Sequence, residues 1–205
     1  MLYGDDAVEV KKIESLQGDI QLNSSHPKCK LCSNSGMITA GCRNAENGKW
    51  LEKDLLYIVG SVKNKTLKSM FMFYGIDYAA EEETYLRIKR TIKNGIEELS
   101  DIKFAETDEL GRLNKVDPLG ITSLRIRGMW ILQNPWKTFS YITQLNLSKK
   151  FEFCAIINDV KYNSYKNKDE LEKINNDSLI IKNVKIKNPN NPAKLIDAKM
   201  IRFSI

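Results

Sequence analysis

Histidine is almost absent from this sequence, and several signatures of common enzymes are missing as well. His26 is the single histidine in 205 residues, which excludes chemistry that needs several histidines. The sequence has no glycine-rich phosphate-binding loop and no serine nucleophile elbow. It has no apolar run long enough to span a bilayer, and no apolar segment follows a basic N-terminus. We therefore expect a cytoplasmic protein without a signal peptide and without a membrane partner.

The composition is that of a globular protein with a moderate excess of positive charge. Hydrophobic residues make up 42% of the chain and charged residues 28%, which is sufficient for a real core. At this length we expect a single domain that spans residues 1–205. The formal net charge of +6 is compatible with a polyanionic partner, although an excess of lysine also serves solubility alone.

The first segment with a clear period is a strand close to the N-terminus. Val8 and Val10 alternate with Glu9 and Lys11, which predicts that the valines face a core and the charged pair faces away from it. A carboxylate and an ammonium group two residues apart form the Glu-x-Lys half of a metal-dependent nuclease site. The carboxylate can bind a hard cation such as Mg²⁺, and the lysine can polarise a phosphate or help to activate water.

Two acidic residues, Asp5 and Asp6, begin this strand and are further candidate ligands for the cation. The alternative interpretation of the whole segment is an edge strand with a solvated charged face. Glu-x-Lys occurs often by chance, so these residues alone do not decide between the two interpretations.

A cysteine cluster follows the only histidine. His26, Cys29, Cys32 and Cys42 have a spacing that can close a tetrahedral zinc site. No second Cys-x-x-Cys pair follows, so the alternative is a set of reduced thiols in a loop. Residues 33–49 are rich in Ser, Asn and Gly and are interpreted as a loop or insert, either disordered or wrapped around a ligand.

The rest of the chain predicts a mixed α/β (α+β) protein. Ile20 and Leu22 are expected to point inward from a short strand. Helices are predicted at 79–99, from Asn134 as N-cap and at 162–176. Strands are predicted at 55–59, 69–74, 121–131, 151–157, 178–187 and 193–205, with the first two forming an antiparallel pair.

Arg125 and Arg127 alternate with Leu124 and Ile126 in the predicted strand at 121–131. Two arginines on one strand face are too costly to bury without partners. They are interpreted either as ordinary surface residues or as contacts to phosphates or guanine edges, which suit the planar guanidinium group.

Five segments together resemble type II restriction endonucleases of the NgoPII kind, which cut GGCC-like sites. They are DAVEVKKIE at 6–14, IQLNSSHP at 20–27, FYGIDYAA at 73–80, NKVDPLGI at 114–121 and LRIRGMW at 124–130. The Glu-x-Lys match is generic, whereas the second and fifth segments are more specific.

The resemblance implies a PD-(D/E)xK fold, which is a mixed central sheet flanked by helices, and a homodimer that cuts double-stranded DNA at a short GC-rich palindrome. It implies that Glu9 binds Mg²⁺ and that Lys11 positions the attacking water. The residues expected near DNA are Asn23, Ser24, Ser25, Arg125 and Arg127. A cognate DNA methyltransferase is expected to act on the same site.

Two features depart from the pattern of the resembled family. A catalytic Asp usually lies on the strand before Glu-x-Lys, but only eight residues precede Glu9. We therefore expect an incomplete form of a longer protein, with the first part of the core missing and Mg²⁺ binding weakened. The cysteine cluster is the second departure. The alternatives are therefore a DNA-binding remnant with impaired catalysis and a zinc-stabilised interaction module unrelated to DNA.

Overall fold

The protein is described by a computed structural model for residues 6–23, 25–35, 38–97, 103–104, 111–114, 116–174 and 178–205. The strands in these ranges are β1 (Asp6–Ile13), β2 (Ile20–Asn23), β3 (Lys30–Cys32), β4 (Glu52–Lys63), β5 (Thr66–Tyr74), β6 (Lys103–Phe104), β7 (Gly111–Asn114), β8 (Ser123–Ile126), β9 (Met129–Leu132), β10 (Glu152–Asn158), β11 (Leu179–Asn188) and β12 (Asn191–Ser204). The α-helices are α1 (Ala40–Arg43), α2 (Glu82–Glu97), α3 (Pro135–Thr138), α4 (Asp159–Asn163) and α5 (Lys168–Lys173).

A mixed sheet forms the centre of the protein, and its strand order is β1-β4-β5-β10-β12-β11. The pairs β1–β4 and β5–β10 are parallel, and the remaining neighbours on this path are antiparallel. The short β3 pairs with the beginning of β4. The predicted mixed α/β class is therefore confirmed. Two small sheets, β2-β9 and β6-β7-β8, lie outside the central sheet.

The predicted antiparallel pairing of β4 and β5 is confirmed. A two-residue turn connects the strands. Asn64 and Lys65 both have positive φ values, of 51° and 61°. Positive φ at both central residues gives a turn whose twist matches that of the flanking strands, and asparagine adopts it readily. The strands predicted at 178–187 and 193–205 are present as β11 and β12, which pair as an antiparallel hairpin.

Side chains on the two faces of the central sheet form two separate cores. The first core contains Leu55, Tyr57, Phe71, Phe73 and Ile156 among others. The second core contains Leu56, Tyr74, Ala155, Ile157, Tyr162 and Ile201. Successive residues of β4, β5 and β10 therefore contribute to alternate cores, which explains why these strands are continuous apolar runs rather than alternating ones.

Several boundaries differ from the predicted ones. The loop at 33–49 contains the short helix α1, which Thr39 caps by accepting a hydrogen bond from the backbone N–H of Cys42. The lysine-rich helix predicted at 162–176 is instead the two short helices α4 and α5. Helix α3 begins as predicted, because the Asn134 side chain accepts a hydrogen bond from the N–H of Trp136.

The single strand predicted at 121–131 is wrong. Strand β8 pairs with β7, whereas β9 pairs with β2 in a different sheet. The chain changes sheets at Arg127 and Gly128, so the two arginines do not share one strand. No helix among the described residues has the length and apolar character needed to cross a membrane.

Candidate active site

Glu9 and Lys11 lie on the face of β1 that packs against the first core, and they form an ion pair. Lys11 Nζ lies 2.6 Å from Glu9 Oε1, and the side chains are 25% and 43% exposed respectively. Ala7 and Ile13, which share this face, pack against the first core. The ion pair therefore lies where the core meets solvent.

The prediction that Val8 and Val10 face a core is wrong, because these side chains are 41% and 69% exposed. Alternation identifies which residues share a face but does not identify the covered face. The parallel register of β1 with β4 decides this, since it aligns Glu9 with Tyr57 of the first core.

Two clefts meet at the ion pair. The larger cleft has a volume of about 590 Å³, and its lining includes Glu9, Ser25, His26, Lys28 and Lys53. The Lys53 ammonium group is paired with the carboxylate of Glu46, which lines the same cleft. The lining of the larger cleft thus contains both positive and negative side chains in addition to the Glu9 carboxylate.

The second cleft has a volume of about 500 Å³ and lies beside Lys11. Gln21 and Asn23, on the exposed face of β2, line it together with Lys12. The confirmed inward orientation of Ile20 and Leu22, which are 0% and 4% exposed, fixes this outward orientation of their neighbours.

The wall of the larger cleft is held against the sheet by a close backbone approach. The N–H of Lys28 donates to the Tyr57 hydroxyl at 3.0 Å. A Cβ at Gly75 would lie 2.1 Å from the Lys28 carbonyl oxygen, so glycine is required there. Burial raises the pKa of Tyr57, which keeps the phenol neutral as a hydrogen-bonding partner.

His26 is packed between aromatic rings rather than turned toward the cysteines. Its ring stacks on Tyr85 with centroids 5.0 Å apart and meets Trp130 edge-on at 6.2 Å. Burial and the nearby Lys28 ammonium lower the pKa of His26, while Glu82, 3.4 Å from Nε2, opposes them. The histidine is therefore neutral at pH 7 and supports the wall of the larger cleft.

The candidate zinc ligands are not brought together. The Cys29 thiol donates to the carbonyl oxygens of Ala79 and Ala80 at 3.1 Å, and burial raises its pKa. Cys32 is the last residue of β3, opposite Glu52 of β4, and Cys42 lies in α1. The described part of the chain contains no group of three or more His, Cys, Asp or Glu side chains placed to hold a metal ion.

The opposite face of β1 carries a second charged cluster, which sequence reasoning did not identify as a unit. Lys161 Nζ lies 2.6 Å from Asp6 Oδ1 and 2.7 Å from Asp54 Oδ2. The Tyr74 hydroxyl donates to Asp6 Oδ2 at 2.7 Å and lies 2.5 Å from the Tyr165 hydroxyl. Burial opposes the charge of Lys161, but the hydrogen bonds to the two carboxylates raise its pKa. The Asp6 carboxylate is thus bound by groups of the protein itself. Asp5, the other candidate ligand for the cation at the start of β1, lies outside the described residues.

A buried carboxyl group supports this second cluster. Asp77 is 3% exposed and accepts from Asn158 Nδ2 at 2.8 Å and from the Asn158 N–H at 3.2 Å. Burial raises the pKa of Asp77 to about 6 despite these bonds. Asn158 in turn caps α4 by accepting from the N–H of Lys161 at 2.9 Å. The helix that carries Lys161 is therefore fixed by Asp77.

The predicted DNA-contacting residues lie in different places. Asn23 is exposed on β2, and Ser25 lines the larger cleft with Glu9. Ser24 lies outside the described residues. Arg125 is exposed on β8, directly opposite Arg112 of β7.

The pairing of Arg112 with Arg125 was missed, because register cannot be read from either strand alone. Like charges directly opposite on an antiparallel pair repel each other, so this pairing concentrates positive charge at one place on the β6-β7-β8 sheet. The outward orientation of Gln21 follows from the predicted inward orientation of Ile20 and Leu22, but its position beside Lys11 was also missed. The signal that was available was the alternation of residues 20–23.

Comparisons with known proteins agree with this picture. The family model described as NgoPII restriction endonuclease matches residues 1–187. The type II restriction enzyme NgoPII from Neisseria gonorrhoeae is 55% identical over 206 residues, covering 100% of this chain and 73% of the relative. No solved structure matches the chain.

The resemblance carried by the five segments is thus confirmed over nearly the whole chain. The Glu-x-Lys pair and the Leu-Asn-Ser-Ser segment both fall within the matched residues. The chain belongs to the NgoPII restriction endonuclease family.

Proposed function

We propose that the chain is a type II site-specific deoxyribonuclease of the PD-(D/E)xK fold, which hydrolyses double-stranded DNA at a short GC-rich palindrome. Family membership supports the class of enzyme. The observation that carries the assignment of the site is the Glu9–Lys11 ion pair of 2.6 Å, half exposed at the junction of two clefts.

The two side chains have different roles in the proposed reaction. The Lys11 ammonium group binds a phosphate oxygen and holds the attacking water. The water oxygen forms the new bond to phosphorus as the ester P–O bond breaks, the water gives up a proton to solvent, and the leaving ester oxygen takes up a proton from solvent. Glu9 supplies a carboxylate ligand for Mg²⁺. When bound, the cation stabilises negative charge on the attacking and leaving oxygens.

The donor set beside Lys11 fits Mg²⁺ in kind. Glu9 offers hard carboxylate oxygens, one of which is 2.6 Å from the Lys11 ammonium group. Mg²⁺ retains several waters and is commonly bound through one or two carboxylates together with substrate phosphates. Asp6 is engaged by Lys161 and Tyr74 on the other face, so we assign it to folding rather than to the cation.

DNA is proposed to lie across the clefts. Asn23, Ser24 and Ser25 would lie beside the bound strand, and Arg125 and Arg127 would contact phosphates or guanine edges. A palindromic site is matched by a two-fold symmetric homodimer, and a cognate methyltransferase would protect host DNA in the cytoplasm.

The direct test is digestion of linear DNA of known sequence. With Mg²⁺ we expect discrete fragments whose ends share one sequence, and we expect no cleavage when EDTA removes the cation. Uncut DNA in the presence of Mg²⁺, from folded protein, contradicts the proposal.

A second candidate function is DNA binding without cleavage. It is favoured by the described part of the chain, which has no group of three or more His, Cys, Asp or Glu side chains placed to hold a metal ion, because hard cations are held mainly by carboxylates. It predicts salt-sensitive retardation of DNA that stays intact, since phosphate contacts release counterions. Fragmentation of the DNA rejects it.

A further inference from the structure

Strands β2 and β9 form a two-stranded antiparallel ribbon, called here the β2–β9 ribbon, with one buried and one exposed face. Ile20 and Leu22 belong to the first core, and Trp130 and Leu132 of β9 pack against it. The ribbon therefore rests on a rigid support.

The base of the ribbon is also fixed by polar contacts. Asn134, just after β9, donates from Nδ2 to the carbonyl oxygen of Gly18 at 2.8 Å and from its N–H to Asp19 at 3.1 Å. Lys137 of α3 pairs with Asp19 at 2.9 Å. These bonds join the segment before β2 to the segment after β9, so the two strands of the ribbon are also held together at its base.

The exposed face of the ribbon combines two amides with two apolar side chains. Gln21 is paired with Ile131 and Asn23 with Met129. Ile131 and Met129 are 67% and 59% exposed. Neither amide side chain forms a hydrogen bond with another described residue. This face offers free donors and acceptors beside apolar surface, which is the chemistry of base edges in the major groove.

The position of the ribbon connects it to the proposed active site. Gln21 and Asn23 share their cleft with Lys11 and Lys12. The acidic groups of that cleft are paired with lysines: Glu14 lies 3.8 Å from Lys12, and Asp19 is bound to Lys137. Lys11 is likewise paired with Glu9, so the charges around this cleft balance and the ribbon offers its two amides in nearly neutral surroundings.

The dimensions of the ribbon suit duplex DNA. Neighbouring strands lie roughly 4.8 Å apart, and the major groove is roughly 12 Å wide, so a two-stranded ribbon can enter it. The minor groove, at roughly 6 Å, is narrower and presents a degenerate pattern of base edges, so readout by amides favours the major groove.

We propose that the β2–β9 ribbon enters the major groove and that Gln21 and Asn23 read base edges, with Met129 and Ile131 packed against the apolar edges of pyrimidines. This inference rests on the proposed function and names the specificity-determining residues of the same site. Gln21 is the residue that it adds to the proposed DNA contacts.

The experiment uses the full chain and plasmid DNA of known sequence. Fragment ends from the wild type define its cleavage site, and Gln21→Ala and Asn23→Ala are then measured on that site and on sites with one substituted base pair. The matched controls are Gln144→Ala and Asn183→Ala, which remove exposed amides far from the ribbon along the chain.

We expect each ribbon variant to cut the wild-type site about 10- to 100-fold more slowly and to discriminate less against one substituted position, because a bidentate base contact is lost. The salt dependence of DNA binding stays unchanged, since no phosphate contact is removed. Cleavage rates and site preferences equal to those of the controls overturn the proposal.

The proposal and the proposed function fail in distinguishable ways. If the wild type cuts no DNA, duplexes are selected from a random pool by binding. If the wild type selects a sequence motif and Gln21→Ala no longer prefers that motif, the result supports base readout by the ribbon and rejects the nuclease function. No selection overturns the ribbon proposal. The variants Met129→Ser and Ile131→Ser give a further test. If they convert a dimer into monomers and do not change the site preference, the exposed face of the ribbon is a contact between two copies of the chain, and the proposal is overturned.

Discussion

The two faces of β1 carry similar charged groups that differ in their exposure to solvent and in their partners. On one face, Glu9 and Lys11 pair with each other and remain open to two clefts. On the other, the Asp6 side chain is 6% exposed and is bound by Lys161 and Tyr74. The carboxylates are three residues apart in one strand.

The difference concerns how many partners each group has within the protein. Asp6 has a separate partner on each carboxylate oxygen, and it shares Lys161 with Asp54. A network satisfied in this way is costly to open, because a cation bound at Asp6 would have to compete with Lys161 and Tyr74. The Glu9–Lys11 pair lacks such closure, so it can exchange its partners for a cation and a phosphate.

The largest expected effect is on cleavage, at the open face. We expect Lys11→Met to reduce the cleavage rate by about 10³-fold, because stabilisation of charge at the phosphate is worth several kcal/mol. The matched control is Lys12→Met, because the Lys12 side chain is 64% exposed and its ammonium group lies 3.8 Å from the Glu14 carboxylate. Single-turnover cleavage measures both, and equal rates for the two variants would remove the distinction between the faces.

The next effect is on stability, at the closed face. We expect Lys161→Met to lower the free energy of unfolding by about 3 kcal/mol, because it leaves two carboxylates without their cation. Lys185→Met removes a lysine from the pair with Asp197, in which both side chains are more than 60% exposed, and should cost less than about 1 kcal/mol. Urea unfolding gives both values, and a small effect at Lys161 argues against the closed network.

A smaller effect is expected from pH through Asp77, which supports the helix of Lys161. Its pKa rises from 3.8 to about 6 in the folded state, so the native protein retains a proton that the unfolded chain has lost. The free energy of unfolding should therefore fall as pH rises from about 4 to 6, by on the order of 2–3 kcal/mol. Asp77→Asn should remove this slope, as measured by urea unfolding across that range. If the slope is unchanged in Asp77→Asn, a group other than Asp77 causes the pH dependence of the free energy of unfolding.

The smallest effect tests the orientation of β1 itself. Val10→Ser should change the free energy of unfolding by less than about 0.5 kcal/mol, because Val10 is 69% exposed. Ile13→Ser, on the face that packs against the first core, should cost at least about 1 kcal/mol. The reverse order of the two values would mean that the valines face the core.

Local patterns in the sequence predicted the parts of the fold that depend on neighbours in the chain. The β4–β5 hairpin, the inward Ile20 and Leu22, and the Asn134 cap were all readable from short segments. Each depends on turn chemistry, alternation or capping within a few residues.

The features that were missed depend on residues distant in sequence. Lys161 meets Asp6 and Asp54 across 155 and 107 positions, and no pattern in β1 identifies that partner. The register with β4 decided which face of β1 is covered. The choice between a zinc site and reduced thiols depended on distant residues as well, because Cys29 meets the carbonyl oxygens of Ala79 and Ala80, 50 and 51 residues away.

The most direct test of the central claim compares Glu9→Gln with Asp6→Asn in one experiment. Cleavage rate per folded molecule and free energy of unfolding are measured for both. The account predicts that Glu9→Gln abolishes cleavage with near-native stability, whereas Asp6→Asn lowers stability and retains cleavage. Loss of cleavage in folded Asp6→Asn, with normal cleavage by Glu9→Gln, would contradict it.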